Sequence, residues 1–198
     1  MLVRMGKSVS CNDGHMNHYM KKHRRLSIII GVLLISANIG CDQFTKSIVR
    51  NAILPNEQIT VITNHLTLTK VENTGAFLSM GQSWWPPLKV ALLIVLPIFA
   101  LGFALHIMIK RSRPSRWFTW GLAFAIGGGT GNLIDRIIHG SVTDFLHLKA
   151  GMLQTGIFNM ADVSIMVGIG MVLVDVLVFN NGRQPDTEAA IGTVNESP

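Results

Sequence analysis

The sequence predicts a membrane protein of the all-α class, with four transmembrane helices and a small β part. Two observations favour this fold class. Only 14% of the 198 residues are charged and 48% are hydrophobic, with a mean hydropathy of +0.40, whereas about 25% of the residues of an ordinary soluble domain are charged. Four apolar stretches also approach the ~20 residues that a helix needs to cross the hydrocarbon core of a bilayer: 26–48, 88–109, 117–138 and 157–179.

The basic residues predict how these spans are oriented. The net charge is +6, and six Lys or Arg residues lie within positions 1–25 and four more within 110–116. Because cytoplasmic loops are enriched in Lys and Arg, both segments are expected on the cytoplasmic side, and an even number of spans returns the C-terminus there. The basic groups flank hydrophobic spans and are not set among aromatic residues on a soluble face, so no nucleic-acid binding is expected.

The chain divides into three predicted parts. Residues 1–25 are polar and aperiodic and are expected to form a disordered cytoplasmic extension, and residues 180–198 a flexible cytoplasmic tail. Residues 26–179 form the transmembrane domain. Its outer loop, residues 50–87, alternates β-forming residues around Asn64 and His65, which predicts a β-hairpin and a small sheet on the outer membrane surface.

The first span ends in a group of polar residues. Asp42 and Lys46 are four residues apart on one helix face and can form an ion pair, for which a structural role is favoured. An alternative interpretation is a lipoprotein signal peptide in which Cys41 is lipidated, because a basic head and an apolar run precede Gly-Cys. Asn38 stands where a large aliphatic residue is expected, and three further spans follow, so this alternative is disfavoured.

The third span contains a run of small residues followed by polar ones. The segment 127–131 lacks the strand and the Gly-Lys-Ser/Thr ending of a phosphate loop, and small residues in a membrane helix allow close packing. Asn132, Asp135 and Arg136 share one helix face near the outer end. The last two could be a pair at the membrane surface, but an asparagine on the same face favours a polar cavity.

Two aspartates are predicted to meet at the outer edge of the bundle. Asp144 follows the third span, and Asp162 lies near the start of the fourth. A charged side chain is unfavourable in such a span and costs about 2.5–3.5 kcal/mol at the span centre. Two carboxylates within a few ångströms cannot both ionise at neutral pH, so one keeps its proton and the pair can act as acid and base around one water molecule.

Two other functions are weighed against this chemistry. A proton-coupled transporter also uses buried Asp and Arg, but four spans without internal repeats leave little room for alternating access. A membrane-anchored structural protein would tolerate changes at both aspartates. The seven histidines show no H-E-x-x-H or other metal spacing, so no metal is expected. Acid–base chemistry by two aspartates also needs no organic cofactor.

Five segments in this order resemble a known family: "DQFTK" (42–46), "ENTGAFLS" (72–79), "GNLIDR" (131–136), "GSVTDF" (140–145) and "FNMAD" (158–162). Together they resemble the bacterial lipoprotein signal peptidases (signal peptidase II). The resemblance implies a four-helix membrane aspartic peptidase with a β-cradle on the extracytoplasmic face, located in the inner membrane. Its implied substrates are prolipoproteins with a diacylglyceryl cysteine, cleaved just before that cysteine by a protein expected to be a monomer.

The resemblance also implies roles for single residues. Asp144 and Asp162 match the catalytic aspartates, and four polar residues match groups that hold the substrate or the pair: Asn73, Asn132, Arg136 and Asn159. Asp42 and Asp135 match structural positions. Two features depart from the family pattern, namely the glycine-rich form "GGGTGN" and the long N-terminal extension.

Overall fold

The structure is a computed structural model, and it describes residues 10–55, 57–75, 83–111 and 115–179, with side chains described from Arg24 onwards. It contains four long helices and a four-stranded sheet. The chain order is α1 (Ser10–Ala52), β1 (Gln58–Ile62), β2 (Leu66–Asn73), α2 (Pro86–Lys110), α3 (Arg116–His139), β3 (Val142–Ala150), β4 (Leu153–Phe158) and α4 (Met160–Val174). A π-helical turn, Asp175–Phe179, extends α4.

Three of these helices are long and apolar enough to cross a membrane: Arg24–Ala52 within α1, Pro86–Lys110, and Met160–Val178. The helix α3 has 24 residues but a more polar composition. It packs against α1, α2 and α4, and ten of its residues are buried. Because protein covers most of its surface, α3 can contain glycines and polar residues that a lipid-facing helix would not tolerate.

Two boundaries differ from the sequence-based expectations. The helix α1 begins at Ser10, so residues 10–25 are helical where disorder was expected; elongating an existing helix avoids the cost of nucleation. The fourth span was expected from residue 157, but α4 begins at Met160, because Ile157 and Phe158 belong to β4. Residues 1–9, residues 76–82 of the outer loop and the tail 180–198 lie outside the described residues.

The sheet is antiparallel, with strand order β1-β2-β3-β4. The hairpin β1–β2 turns at Asn64, whose φ of 62° is a left-handed conformation that Asn adopts more readily than most residues. The second hairpin, β3–β4, was not foreseen and pairs with β2. Pairing of Asn73 with Val142, and of Val71 with Asp144, sets Asn73 next to Asp144.

A small apolar core joins the sheet to the helices. Val49 and Ile53, at the end of α1, pack with Phe145 of β3, and Leu68, Leu146 and Met160 complete this cluster. The sheet is therefore fixed against the ends of α1 and α4. This arrangement places β3 over the polar end of the bundle.

The helices α3 and α4 approach each other through glycines. A Cβ atom added at Gly168 would lie 2.5 Å from the carbonyl oxygen of Gly121 and 2.6 Å from the backbone nitrogen of Ala125. Backbone atoms cannot move aside as a flexible side chain can, so any larger residue must separate the two helices. Such close contact is typical of small residues at helix interfaces in membranes.

We expect Gly168→Ala to destabilise the protein by about 1–3 kcal/mol, the usual cost of overpacking. The matched control is Gly170→Ala in the same helix, where an added Cβ has no heavy atom within 4 Å. Thermal unfolding in detergent should give a lower Tm for Gly168→Ala and an unchanged or higher Tm for Gly170→Ala. Equal Tm values for the two variants would contradict the close helix contact.

Candidate active site

Three elements bring the predicted aspartates to one place. Asp144 lies in β3 and is 4% exposed, and Asp162 lies in the first turn of α4. The C-terminal end of α3 supplies Asn132 and Arg136 between them. A loop aspartate would normally be solvated. Asp144 is not, because β3 packs against the end of α1 through Phe145 and the first four residues of the strand are all buried.

Asn159 connects the two aspartates. It is fully buried, and its Nδ2 donates to Asp144 Oδ1 at 2.7 Å. Its backbone nitrogen donates to Asp162 Oδ2 at 3.2 Å, while its Oδ1 accepts from the Asp162 backbone nitrogen at 3.0 Å. The last two bonds form the capping box of α4, which satisfies backbone donors at the helix start. Helix capping thus also fixes the position of the Asp162 carboxylate.

Two further amides donate to the carboxylates. Asn132 Nδ2 donates to Asp162 Oδ1 at 2.9 Å, and Asn73 Nδ2 donates to Asp144 Oδ2 at 3.0 Å. Asn159 Nδ2 also donates to Asn132 Oδ1 at 3.1 Å. Each aspartate is therefore held by side-chain amides, which fix its orientation without adding a formal charge.

The predicted catalytic and substrate-binding residues all line one cavity of about 420 Å³. Apolar side chains complete its walls: Pro97, Val142, Ile157, Ile165 and Met166. Arg136 stands at this cavity with Nη1 donating to Asn132 O at 3.3 Å and Nη2 to Gly75 O at 3.2 Å. A mostly apolar cavity with a few converging polar groups is the usual form of a binding site for a small or extended ligand.

Burial changes the acidity of the aspartate in the sheet. The pKa of Asp144 is raised from 3.8 to about 6. Loss of hydration is the main cause and the negative charge of Asp162 adds to it, while hydrogen bonds from Asn73 and Asn159 act in the opposite direction. A carboxyl group that titrates near neutrality can exchange protons with a substrate under physiological conditions.

The raised pKa predicts a pH-dependent stability. Between about pH 4 and pH 6 the folded protein binds more protons at Asp144 than the unfolded chain does, so stability falls as the pH rises through this window. The full effect is about 3 kcal/mol, from a shift of 3.8 to about 6 at about 1.4 kcal/mol per unit. Asp144→Asn lacks this titration. The Tm of the wild type minus that of Asp144→Asn should decrease from pH 4 to pH 6 and then level off; a constant difference would contradict the shift.

The three residues predicted to be structural lie behind the cavity and do not line it. Lys46 Nζ contacts Asp42 Oδ2 at 2.8 Å and Asp135 Oδ2 at 3.0 Å, and all three side chains are almost fully buried. Asp42 Oδ1 accepts from the backbone nitrogen of Ala161 at 3.0 Å. The polar group therefore ties α1, α3 and the start of α4 together.

Sequence reasoning missed several members of this polar group. Arg50 pairs with Asp135 at 2.9 Å and donates to Thr143 Oγ1 at 2.8 Å, and Thr143 donates to Glu72 Oε1 at 2.9 Å. Gln43 Nε2 donates to Asp135 Oδ1 at 3.1 Å. One signal was present, because Arg50 lies four residues after Lys46 and on the same helix face.

The fold and the site define a helical membrane protein with two aspartates at one cavity, of which Asp144 is buried and Asp162 half-buried, both held by amides. The family model described as signal peptidase (SPase) II matches residues 27–178. The chain belongs to the signal peptidase II family. It is therefore an enzyme, a peptidase of the bacterial membrane.

Curated relatives agree with this assignment. A lipoprotein signal peptidase of Listeria monocytogenes is 36% identical over 148 residues, covering 74% of this chain and 92% of the relative. Proteins of the same name from Geobacillus thermodenitrificans and Azoarcus sp. are 35% and 34% identical, covering 76% and 72% of this chain and 91% and 79% of those proteins. A solved bacterial membrane enzyme has the same fold, with a TM-score of 0.71 and 24% identity over 80% of this chain and 94% of that one.

Proposed function

We propose that the protein is a membrane aspartic endopeptidase that removes signal peptides from diacylglyceryl-modified prolipoproteins by cleaving before the lipidated cysteine. Asp144 and Asp162 are its catalytic pair. The observation that supports this most strongly is the meeting of both carboxylates at one cavity, where Asn159 bonds to each of them. The relatives named above are lipoprotein signal peptidases.

The chemistry follows from one shared proton. With one aspartate ionised and one protonated, the ionised group takes a proton from a water molecule as the water attacks the scissile carbonyl. The protonated group donates its proton to the carbonyl oxygen, which gives a tetrahedral diol. The group that took the proton from water then donates it to the leaving amine as the carbon–nitrogen bond breaks, while the other aspartate takes a proton back from the diol, so that the pair again holds one proton. Because the two groups titrate as a pair, the roles belong to the pair in its singly protonated form. In this proposal neither a metal nor an organic cofactor takes part in the reaction.

The polar residues around the pair have two roles in this proposal. Asn132 and Asn159 orient the carboxylates, and Asn73 and Arg136 bind the backbone of an extended substrate next to them. Asn73 Oδ1 accepts from the backbone nitrogen of Gly75 at 3.0 Å, and Arg136 Nη2 donates to the carbonyl oxygen of Gly75 at 3.2 Å. These two side chains thus hold the loop after β2 against the cavity, where the peptide would lie along the sheet.

The orientation in the membrane follows from the charges. All four helices cross the bilayer in this proposal, with α3 as the central span, and both chain termini are cytoplasmic. Arg24 Nη2 donates to Ile109 O at 2.5 Å, so the basic start of the first span and the basic end of α2 share one side. The aspartate pair is at the opposite, extracytoplasmic end. The protein acts as a monomer, and residues 26–179 are the peptidase domain between a cytoplasmic extension and a cytoplasmic tail.

This location suits a lipid-modified substrate. The acyl chains remain in the bilayer beside the exposed apolar faces of the helices, and only the peptide enters the polar cavity.

The experiment that tests the proposed function is incubation of the purified protein in detergent with a lipidated precursor peptide, followed by mass spectrometry of the products. Cleavage at the bond before the modified cysteine is expected.

We expect Asn73→Ala to weaken cleavage by about tenfold, because a truncated side chain loses a hydrogen bond to a charged group worth about 1.5–3 kcal/mol. The matched control is Asn51→Ala, at an exposed position, which should behave as wild type. Steady-state kinetics and the yield of purified protein are both measured. A normal yield with impaired cleavage is expected; failure of Asn73→Ala to accumulate would show that the residue is structural.

A further inference from the structure

Lys46 is fully buried beneath the candidate active site, and its ammonium group makes three polar contacts, one for each of its hydrogens. Nζ lies 2.8 Å from Asp42 Oδ2, 3.0 Å from Asp135 Oδ2 and 2.9 Å from Asn132 Oδ1. A lysine has three donor hydrogens and no acceptor. Two of these contacts are ion pairs within the scaffold, but the third reaches a residue that lines the cavity.

The third contact determines which way the Asn132 amide points. With Oδ1 turned to the ammonium, Nδ2 faces Asp162 Oδ1 at 2.9 Å. Asn159 Nδ2 donates to the same Asn132 oxygen at 3.1 Å and to Asp144 Oδ1 at 2.7 Å. A flipped Asn132 amide would direct its hydrogens at both the ammonium and the Asn159 amide. The positive charge therefore fixes one amide directly and, through it, the donors to both aspartates.

We propose that Lys46 is a positioning residue of the active site, which orients Asn132 and Asn159 so that both aspartates keep their place and the pair keeps one negative charge. This inference rests on the proposed function of Asp144 and Asp162. It assigns Lys46 more than the structural ion pair that the sequence favours.

The electrostatics of the site support this role. The charged groups around Lys46 and the pair come from five elements: Asp42 and Arg50 from α1, Glu72 from β2, Asp135 and Arg136 from α3, Asp144 from β3, and Asp162 from α4. The charge of Lys46 acts to lower the pKa of Asp144, against the effect of burial. A nearby cation favours the ionised form of a carboxyl group, so loss of this charge should raise the pH at which the pair first ionises.

Removing Lys46 alone would leave two buried carboxylates near each other and could prevent folding. The test therefore uses Asp42→Asn as its background. In the double variant Asp42→Asn/Lys46→Met, Asp135 still pairs with Arg50 at 2.9 Å, and an asparagine at position 42 can still accept from the Ala161 backbone nitrogen. The single variant Asp42→Asn keeps Lys46 and is the matched control.

Cleavage of a lipidated precursor peptide is measured against pH, with turnover expressed per folded molecule from gel filtration and thermal unfolding. Relative to Asp42→Asn, we expect the double variant to lose about 10²-fold in kcat, as for a displaced catalytic group, with KM changed less than threefold. The acidic limb of its pH profile should move up by about one unit, as for loss of a neighbouring opposite charge. Unchanged kcat per folded molecule with an unchanged acidic limb would overturn the proposal.

A second variant covers the case in which the double variant does not fold. Asp42→Asn/Lys46→Arg keeps the charge, but a planar guanidinium does not reproduce the geometry of an ammonium. We expect an unmoved acidic limb and a kcat about tenfold below that of Asp42→Asn, from the same loss of positioning; an unchanged kcat would overturn the proposal. Asp144→Asn is assayed alongside. If it still cleaves, the proposed function fails, whereas if it is inactive and the Lys46 variants match their control, only the role of Lys46 fails.

Discussion

Replacing either Asp144 or Asp162 with asparagine is expected to reduce cleavage of a lipidated precursor by about 10²- to 10⁴-fold, the range that general acid–base groups contribute. Asparagine preserves the size of the side chain but cannot accept and release the shared proton. Since the two aspartates act as one unit, the double replacement should cost little more than either single one. The measurement is single-turnover cleavage with excess enzyme, which separates the chemical step from substrate binding.

The control for this loss is a buried aspartate that lies outside the cavity. Asp175 is 4% exposed and accepts from Ser115 at the far end of the bundle, away from the residues that line the cavity. Asp175→Asn should retain cleavage per folded molecule. Substantial turnover in Asp144→Asn or Asp162→Asn, with both proteins folded, would refute the catalytic assignment.

The largest effect on stability is expected at Asp42. Its carboxylate is 1% exposed and accepts from Lys46 and from the backbone nitrogen of Ala161. Asp42→Ala leaves a buried ammonium with one carboxylate fewer and a helix donor without its acceptor. Breaking a buried ion pair in this way costs about 3–5 kcal/mol.

Thermal unfolding in detergent at pH 7 measures this effect against Asp144→Asn. The second variant removes a charge whose burial is unfavourable, as the raised pKa of Asp144 shows, so its Tm should equal or exceed that of the wild type. Asp42→Ala should have the lowest Tm of the three. Equal Tm values for Asp42→Ala and Asp144→Asn would contradict the division between scaffold and catalytic pair.

Much of the site could be predicted because charged and amide groups are rare in apolar spans. Asp162, Asn132 and Arg136 stand out at the ends of hydrophobic stretches, and the predicted alternation of the spans puts these ends on one side of the bilayer. The structure brings these residues together with Asp144 at one cavity. Their roles in catalysis and binding remain predictions, which the variants above test.

Other features have a weak local signal in the sequence or none. Arg50 and Glu72 lie in segments where charged residues are ordinarily solvated, and only the packing of α1 against β2 and β3 joins them through Thr143. The hairpin β3–β4 follows a helix directly, and its last residues read as the start of an apolar span. Long-range pairing decides both outcomes, since strand propensity depends strongly on the neighbouring strands.

The proposed role of Lys46 also depends on long-range packing and could not be predicted from the sequence alone. The spacing of Asp42 and Lys46 predicts their ion pair, and the structure contains it at 2.8 Å. The contact with Asn132, 86 positions along the chain, depends on how α1 packs against α3. A pair that looks structural in the sequence is thereby connected to the cavity.

The most direct test of the central claim compares two precursor peptides of identical sequence, one with a diacylglyceryl group on its cysteine and one without. Purified wild-type protein in detergent is incubated with each, and the products are identified by mass. The account predicts that the wild type cleaves the lipidated peptide at the bond before the modified cysteine and cleaves the unmodified peptide much more slowly, and that Asp144→Asn cleaves the lipidated peptide about 10²- to 10⁴-fold more slowly than the wild type. Failure of the folded wild-type protein to cleave the lipidated peptide, or equal cleavage by Asp144→Asn, would contradict the account.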